Sequence, residues 1–369
     1  MSDSVATDRI FNFSAGPAVL PLAVLQEVQR DLLALPGAGA SVLEISHRSK
    51  QFGEILAQAQ RRIGELLNVP ENYKIMFLQG GSRLQFSMVP MNLLRDQSGP
   101  AEYLVTGSWG KKALEQAHLE GTAKTTWDGK STNYNRLPES SEIEIDPQAA
   151  YVYYTSNETI QGVQFATEPE VGDIPLVCDA SSDFMSRPLP MDRYGLLYAC
   201  AQKNAGPAGV TVVIIRDDLL ERSQKNLPGY LNYREHVDNN SMYNTPPTFG
   251  VYVMGLVAKW LQEEVGGLQA MHERNQAKAA QLYAAIEASG GFYTGHAEPS
   301  ARSLMNVTFR LPSDELTEAF VAAAAAENLG SLKGHRSVGG IRASIYNAMP
   351  EAGVETLVRF MQDFCAKHG

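Results

Sequence analysis

The chain has 369 residues, 44% of them hydrophobic and 20% charged, which implies two domains or one large domain with a satellite, and a core that needs no disulfide or metal staple. Its 41 acidic residues outnumber its 31 basic ones, giving a formal charge of −10; a general DNA- or RNA-coating role is excluded, because phosphate binding wants net basic surface. Three cysteines (Cys178, Cys200, Cys365) form no CxxC pair, the N-terminus has neither a basic n-region nor an apolar h-region, and no apolar run reaches the ~20 residues of a membrane helix, so a cytoplasmic protein is expected.

In chain order the pattern alternates. Helical periodicity at 22–34 and 50–67 leads to a strand at 74–79 and a helix at 82–94. A strand at 103–106, a helix at 109–119 and strands at 150–156, 175–181, 196–203 and 210–216 follow. Several strands are near-continuous apolar runs, which suits strands buried on both faces, and the βαβα order predicts an α/β fold with a mainly parallel sheet between helices. Residues 248–289 read as helix almost throughout, broken at Gly266–Gly267. A smaller set follows: a strand at 303–309, an alanine-rich helix at 314–328, a strand at 340–346 and a helix at 351–367. The expected division is an N-terminal segment 1–21, a large domain 22–265 and a small C-terminal α/β domain 266–369.

Ligands in open α/β sheets sit beyond the C-terminal ends of the strands, and three segments read that way. The first, Gln79-Gly80-Gly81-Ser82-Arg83, joins a strand to a helix; glycines let the backbone approach a ligand, and the helix start offers unpaired N–H groups to an anion. It reads equally well as a plain tight turn. The second is Asp179, which ends the run Pro175-Leu176-Val177-Cys178 and by itself reads more readily as a cap. The third is Lys203, closing the apolar run from Leu196 ahead of Gly206-Pro207; alone it reads as a snorkelling strand-end lysine.

Asp179 and Lys203 stand one strand-helix-strand step apart, so one crevice is expected to hold both. A lysine amine for a Schiff base and a carboxylate for a pyridinium nitrogen are what pyridoxal phosphate demands. The glycine turn is then the phosphate site, and Trp109, otherwise a core aromatic, is placed to stack on the ring.

Longer segments carry a resemblance. Phe11 to Ala18 (FNFSAGPA), Ser46-His47-Arg48, Ser156 to Ile160 (SNETI), Ala201 to Gly209 (AQKNAGPAG), Tyr243 to Thr248 (YNTPPT), Lys333 to Arg336 (KGHR) and Gly339 to Pro350 (GGIRASIYNAMP) resemble the phosphoserine aminotransferases, pyridoxal-phosphate enzymes of fold type I. The resemblance spans the chain. It implies that Lys203 forms the Schiff base and later moves the proton, that Asp179 keeps the pyridine nitrogen protonated, that Trp109 stacks on the ring and that Thr159 lies near the phenolic oxygen. It further implies that Ser82, Arg83 and Gln202 hold the cofactor phosphate, with Asn244 and Thr245 reaching in from the second subunit of a homodimer. His47, Arg48, His335 and Arg336 are implied around the substrate phosphate, and Arg342 on the α-carboxylate. No metal is implied. The turn departs from the family in carrying Ser82 and Leu84 where many members have further glycine, which leaves open whether side chains or amides touch the phosphate.

The implied reaction is ping-pong transamination of 3-phosphohydroxypyruvate with L-glutamate, giving O-phospho-L-serine and 2-oxoglutarate. Whether the 4-phosphohydroxythreonine step of vitamin B6 synthesis is also served stays open. A nucleotide-binding dehydrogenase would want a GxGxxG after the first strand, which is missing. A silent scaffold on the same fold would be expected to lose Lys203 or Asp179, and both are present.

Overall fold

Buried apolar runs assemble into one seven-stranded sheet with helices on both faces. The structure, a computed structural model, describes residues 9–369; the first eight residues of the expected N-terminal segment lie outside the described residues. The chain opens with β1 (Phe11–Asn12), α1 (Leu22–Asp31) and α2 (Lys50–Leu67). It continues through β2 (Tyr73–Gln79), α3 (Ser82–Leu93), β3 (Ala101–Val105), α4 (Ser108–Ala117) and β4 (Ala123–Asp128). Next come β5 (Tyr151–Thr155), a small hairpin of β6 (Asn157–Glu158) and β7 (Val163–Gln164), then β8 (Leu176–Asp179), β9 (Tyr194–Cys200) and β10 (Val210–Arg216). Two short helices, α5 (Asp217–Arg222) and α6 (Tyr233–Asp238), precede α7 (Thr248–Trp260) and α8 (Leu268–Glu287), which are separated by a wide turn and Gly266-Gly267.

The sheet order is β2-β10-β9-β8-β5-β3-β4. From β9 to β4 every pair is parallel, whereas β10 runs antiparallel to both β9 and β2. Length decides this: only residues 201–209 join β9 to β10, fewer than the dozen or so that a parallel crossover needs. Alternate residues of β5 serve opposite faces, Val152 and Tyr154 on one core, Tyr151 and Tyr153 on the other. Two details depart from the sequence reading. The step from β8 to β9 carries turns and a short 3-10 segment at Met191–Arg193 instead of a helix. And β4, with only Ala123 and Trp127 apolar, is an edge strand that the apolar-run criterion passed over.

The remaining chain forms β11 (Thr294–Gly295), β12 (Asn306–Arg310), α9 (Asp314–Ala326), β13 (Leu329–Gly330), β14 (Ile341–Ser344) and α10 (Glu351–His368). Strands β11, β12 and β14 make a second sheet, while β1 pairs in parallel with β13, bringing Phe13 into a separate apolar cluster with Phe309, Phe320 and Phe360. No helix of the described residues is long and apolar enough to cross a membrane.

Candidate active site

The ends of β2, β8 and β9, the start of α4 and strand β14 surround a cavity of about 400 Å³. Gly80 turns the chain at φ +94°, Gly81 caps α3, and Ser82 and Arg83 open that helix at the cavity wall. A helix start leaves its first N–H groups unpaired and carries partial positive charge, so this wall suits an anion. Gln202 lines the same wall, and its amide oxygen is buried without a partner among the described residues.

Lys203 sits in the turn three residues beyond β9, a correction to the strand-end placement read from the sequence, and it faces the cavity. Its Nζ donates to Thr159 Oγ1 at 2.6 Å and lies 5.2 Å from the centre of the Trp109 ring. The Trp109 indole nitrogen is buried and unpartnered among the described residues. Asp179 closes β8 on the cavity floor, 3% exposed, with Oδ1 accepting from the backbone N–H of Ser181 at 2.9 Å and from the Ser181 hydroxyl. Burial raises the pKa of this carboxyl; the Lys203 charge and the Ser181 donors pull it back down. An amine and a carboxylate so placed, beside an anion cup and an aromatic wall, can hold a planar anionic ligand and move a proton next to it.

On the outer side, Arg342 points from β14 into the cavity with no carboxylate partner among the described residues, and burial lowers its pKa. His335 also lines the cavity. Burial lowers its pKa, and Arg342, Lys112 and Arg336 add to the effect, so the imidazole leans toward its neutral form. Arg336 itself is exposed beside it.

Besides Arg336, four of the sequence-derived residues do not line this cavity. His47 and exposed Arg48 occupy the turn before α2. Asn244 donates to Gln79 Oε1 at 3.1 Å, and the carbonyl of exposed Thr245 accepts from Gln79 Nε2 at 2.8 Å, so both stand behind the phosphate-type turn. Among the described residues no cluster of three or more His, Cys, Asp or Glu is placed to hold a metal.

Two residues with no individual signal in the sequence belong to the site. Glu158, fully buried, accepts from the N–H groups of Trp109 at 3.0 Å and Gly110 at 2.7 Å and so fixes the start of α4. Its approach explains Gly107, where a Cβ would come within 2.5 Å of the Glu158 carboxyl carbon. Ser181 is the other, joined to Asp179 and, at 2.6 Å, to the Ser82 hydroxyl.

Residues 10–357 match the family model described as aminotransferase class-V. A phosphoserine aminotransferase of Rhodopirellula baltica is 58% identical over 362 residues, covering 98% of this chain and 96% of that protein. One from Laribacter hongkongensis is 51% identical, with 98% and 99% covered. Among solved structures, the phosphoserine aminotransferase of Bacillus circulans subsp. alkalophilus superposes with a TM-score of 0.96 at 48% identity, covering 98% of this chain and all of that one. A pyridoxal-phosphate-bound phosphoserine aminotransferase from Trichomonas vaginalis gives 0.91 at 40% identity, with 96% and 100% covered. A likeness this close along nearly the whole length leaves one assignment: the chain belongs to the class-V aminotransferases and, among them, to the phosphoserine aminotransferases.

Proposed function

We propose that this chain is a pyridoxal-phosphate enzyme that transaminates 3-phosphohydroxypyruvate with L-glutamate, yielding O-phospho-L-serine and 2-oxoglutarate. The observation that carries the reading is the single cavity on which Lys203, Asp179, Trp109 and the start of α3 converge. The residues fit the cofactor. The Trp109 indole N–H is buried with no partner among the described residues, and the Gln202 amide, which lines the same cavity, offers N–H donors for a phosphate. When bound, pyridoxal phosphate supplies a reactive carbonyl and a ring that takes up the electron pair left as substrate Cα loses its proton.

The chain's own residues do the rest. The amides at the start of α3, with Gln202, would bind the phosphate, and Trp109 would pack against the ring. Asp179 holds a proton at the ring nitrogen. Lys203 Nζ, kept in place by Thr159, would hold the cofactor and move the substrate Cα proton. Arg342 takes the α-carboxylate common to both substrates, and His335 with Arg336 takes the phosphate of one of them. One keto acid leaves before the other enters, which requires ping-pong kinetics.

The functional unit in this reading is a homodimer in which Asn244 and Thr245 complete the neighbouring site. Their place outside their own cavity, shared by His47 and Arg48, supports it. The reading keeps the division into residues 22–265, 266–369 and an N-terminal segment 1–21 that joins the smaller part, and it places the enzyme in the cytoplasm, consistent with three free cysteines.

The test is spectroscopic. Purified protein loaded with pyridoxal phosphate should lose its visible absorbance on adding L-glutamate and recover it on adding phosphohydroxypyruvate. Assaying the keto-acid precursor of 4-phosphohydroxythreonine in parallel decides the second substrate. Absorbance that glutamate leaves untouched would overturn the reading.

A further inference from the structure

The hydroxyl of Ser181 has three neighbours and one proton. It lies in hydrogen-bond contact with Asp179 Oδ1, accepts from the backbone N–H of Cys200 at 3.1 Å, and stands 2.6 Å from the Ser82 hydroxyl. A hydroxyl donates once and accepts twice, whereas an ionised carboxylate only accepts. With Asp179 ionised, the Ser181 proton must go to Oδ1. Both Ser181 lone pairs are then taken, one by Cys200 N–H and the other by Ser82, which has to be the donor at the 2.6 Å contact. The Ser82 proton therefore points inward, away from any ligand at the start of α3.

We propose that Ser82 and Ser181 form a one-way donor chain ending on Asp179, in which Ser181 positions the carboxylate and Ser82 serves the bound phosphate through its backbone N–H alone. An anionic phosphate oxygen has no proton to give, so a Ser82 hydroxyl already committed to Ser181 has nothing to exchange with it. The contact spans the two ends of the cavity: Ser82 opens the anion-binding helix, while Asp179 lies at the floor beneath Lys203 and Trp109. Protonation of Asp179 at Oδ1 would permit the opposite order of donation. Asp179 then donates to Ser181, Ser181 to Ser82, and the Ser82 proton becomes available to the phosphate. The orientation of two hydroxyls thus couples the phosphate end of the site to the carboxylate at its ring-nitrogen end.

The inference rests on the pyridoxal-phosphate reading above, and binding measurements separate the two. The affinities of apoprotein for pyridoxal phosphate and for pyridoxal, which lacks the phosphate, are measured by quenching of tryptophan fluorescence in wild type, Ser82→Ala, Ser181→Ala and the double variant. Failure of the wild type to bind pyridoxal phosphate would sink the cofactor reading itself. Given binding, Ser82→Ala should leave the ratio of the two affinities within about twofold of wild type, because the backbone N–H still meets the phosphate. Ser181→Ala should weaken both ligands by roughly 10-fold or more, the usual loss for a hydrogen bond to a charged group, and the double variant should be no weaker than Ser181→Ala. Both single variants should displace the visible absorption maximum of the bound cofactor in the same direction, which loss of packing alone would not do. A tenfold collapse of the affinity ratio in Ser82→Ala would mean that its hydroxyl touches the phosphate directly. Independent, multiplying losses in the double variant would equally overturn the chain of donors. Ser82 is only half-buried at a helix start, so its variant tests the ratio even if Ser181→Ala folds poorly.

Discussion

At the scale of single residues, charge placement separates chemistry from recognition. Asp179→Asn keeps the shape and an acceptor but removes the charge that favours a protonated ring nitrogen. Correct folding with a fall in the chemical step on the order of 10²-fold or more is expected, read by stopped-flow absorbance. An unchanged rate with only weaker cofactor binding would make Asp179 a structural cap. The two arginines should part company in the same experiment. Arg342 faces the cavity and serves a carboxylate present on both substrates, so Arg342→Ala should weaken both half-reactions. Arg336→Ala should lower kcat/KM for the phosphorylated keto acid by about 10- to 100-fold, the worth of one charge-assisted hydrogen bond, and spare the glutamate half-reaction. Equal damage to both halves would remove the case for a phosphate pocket around Arg336.

At the scale of elements, the start of α4 shows how a buried carboxyl shapes a site without touching the ligand. The carboxyl of Glu158 is pushed up to about 7 by burial, against the pull of the Gly110 and Trp109 N–H groups and the Lys203 charge. An unfolded glutamate titrates near 4.5, so between these values the folded chain holds the extra proton. This group therefore removes stability as pH rises from about 4.5 to about 7, by up to roughly 3 kcal/mol. Urea unfolding of wild type and Glu158→Gln at pH 5 and pH 8 isolates the effect: relative to wild type, the variant should gain stability at the higher pH. A difference between the two proteins that does not change with pH would show that Glu158 is ionised in the folded state at both. The same variant should disturb Trp109, since Glu158 holds its backbone.

Across the whole molecule, one buried lysine ties the C-terminal part to the turn that carries Lys203. Lys278 on α8 is 1% exposed and donates to the carbonyls of Ile345 at 2.8 Å and Tyr346 at 2.7 Å, with those of Asn347 and Met349 farther out at 3.4 and 3.2 Å. The segment it gathers reaches onward, because the Asn347 N–H donates to Asn204 Oδ1 at 2.9 Å, next to Lys203, and the Tyr346 hydroxyl donates to the carbonyl of Ala15 at the cavity rim. Lys278→Met keeps the length and removes the donor, leaving buried carbonyls unpaired at a cost of about 3 kcal/mol or more. Denaturant unfolding should show that loss, and cofactor affinity should fall with it. Full affinity in a destabilised variant would mean that the link to Asn204 does not reach the site.

Periodicity and local chemistry in the sequence determined the elements with strong signals. Apolar runs such as 196–203 and 210–216 suit strands buried on both faces, and glycines after β2 mark a turn onto a helix start. Lys203 and Asp179, each ambiguous alone as a snorkelling lysine or a cap, were legible as a pair, because together with the glycine turn they match what one cofactor demands. What the sequence left undecided depends on distance in space. The reversed direction of β10 follows from loop length and pairing, and the weak edge strand β4 exists because β3 offers it a partner. Glu158 and Ser181 have ordinary neighbours in sequence; only the fold brings one to the amides of α4 and the other between Ser82 and Asp179. For the same reason His47 and Arg48, which the resemblance puts at one site with Lys203, lie outside the folded chain's own cavity, as do Asn244 and Thr245, which it assigns to the neighbouring subunit's site: local pattern fixes what a segment becomes, and only packing fixes what it meets.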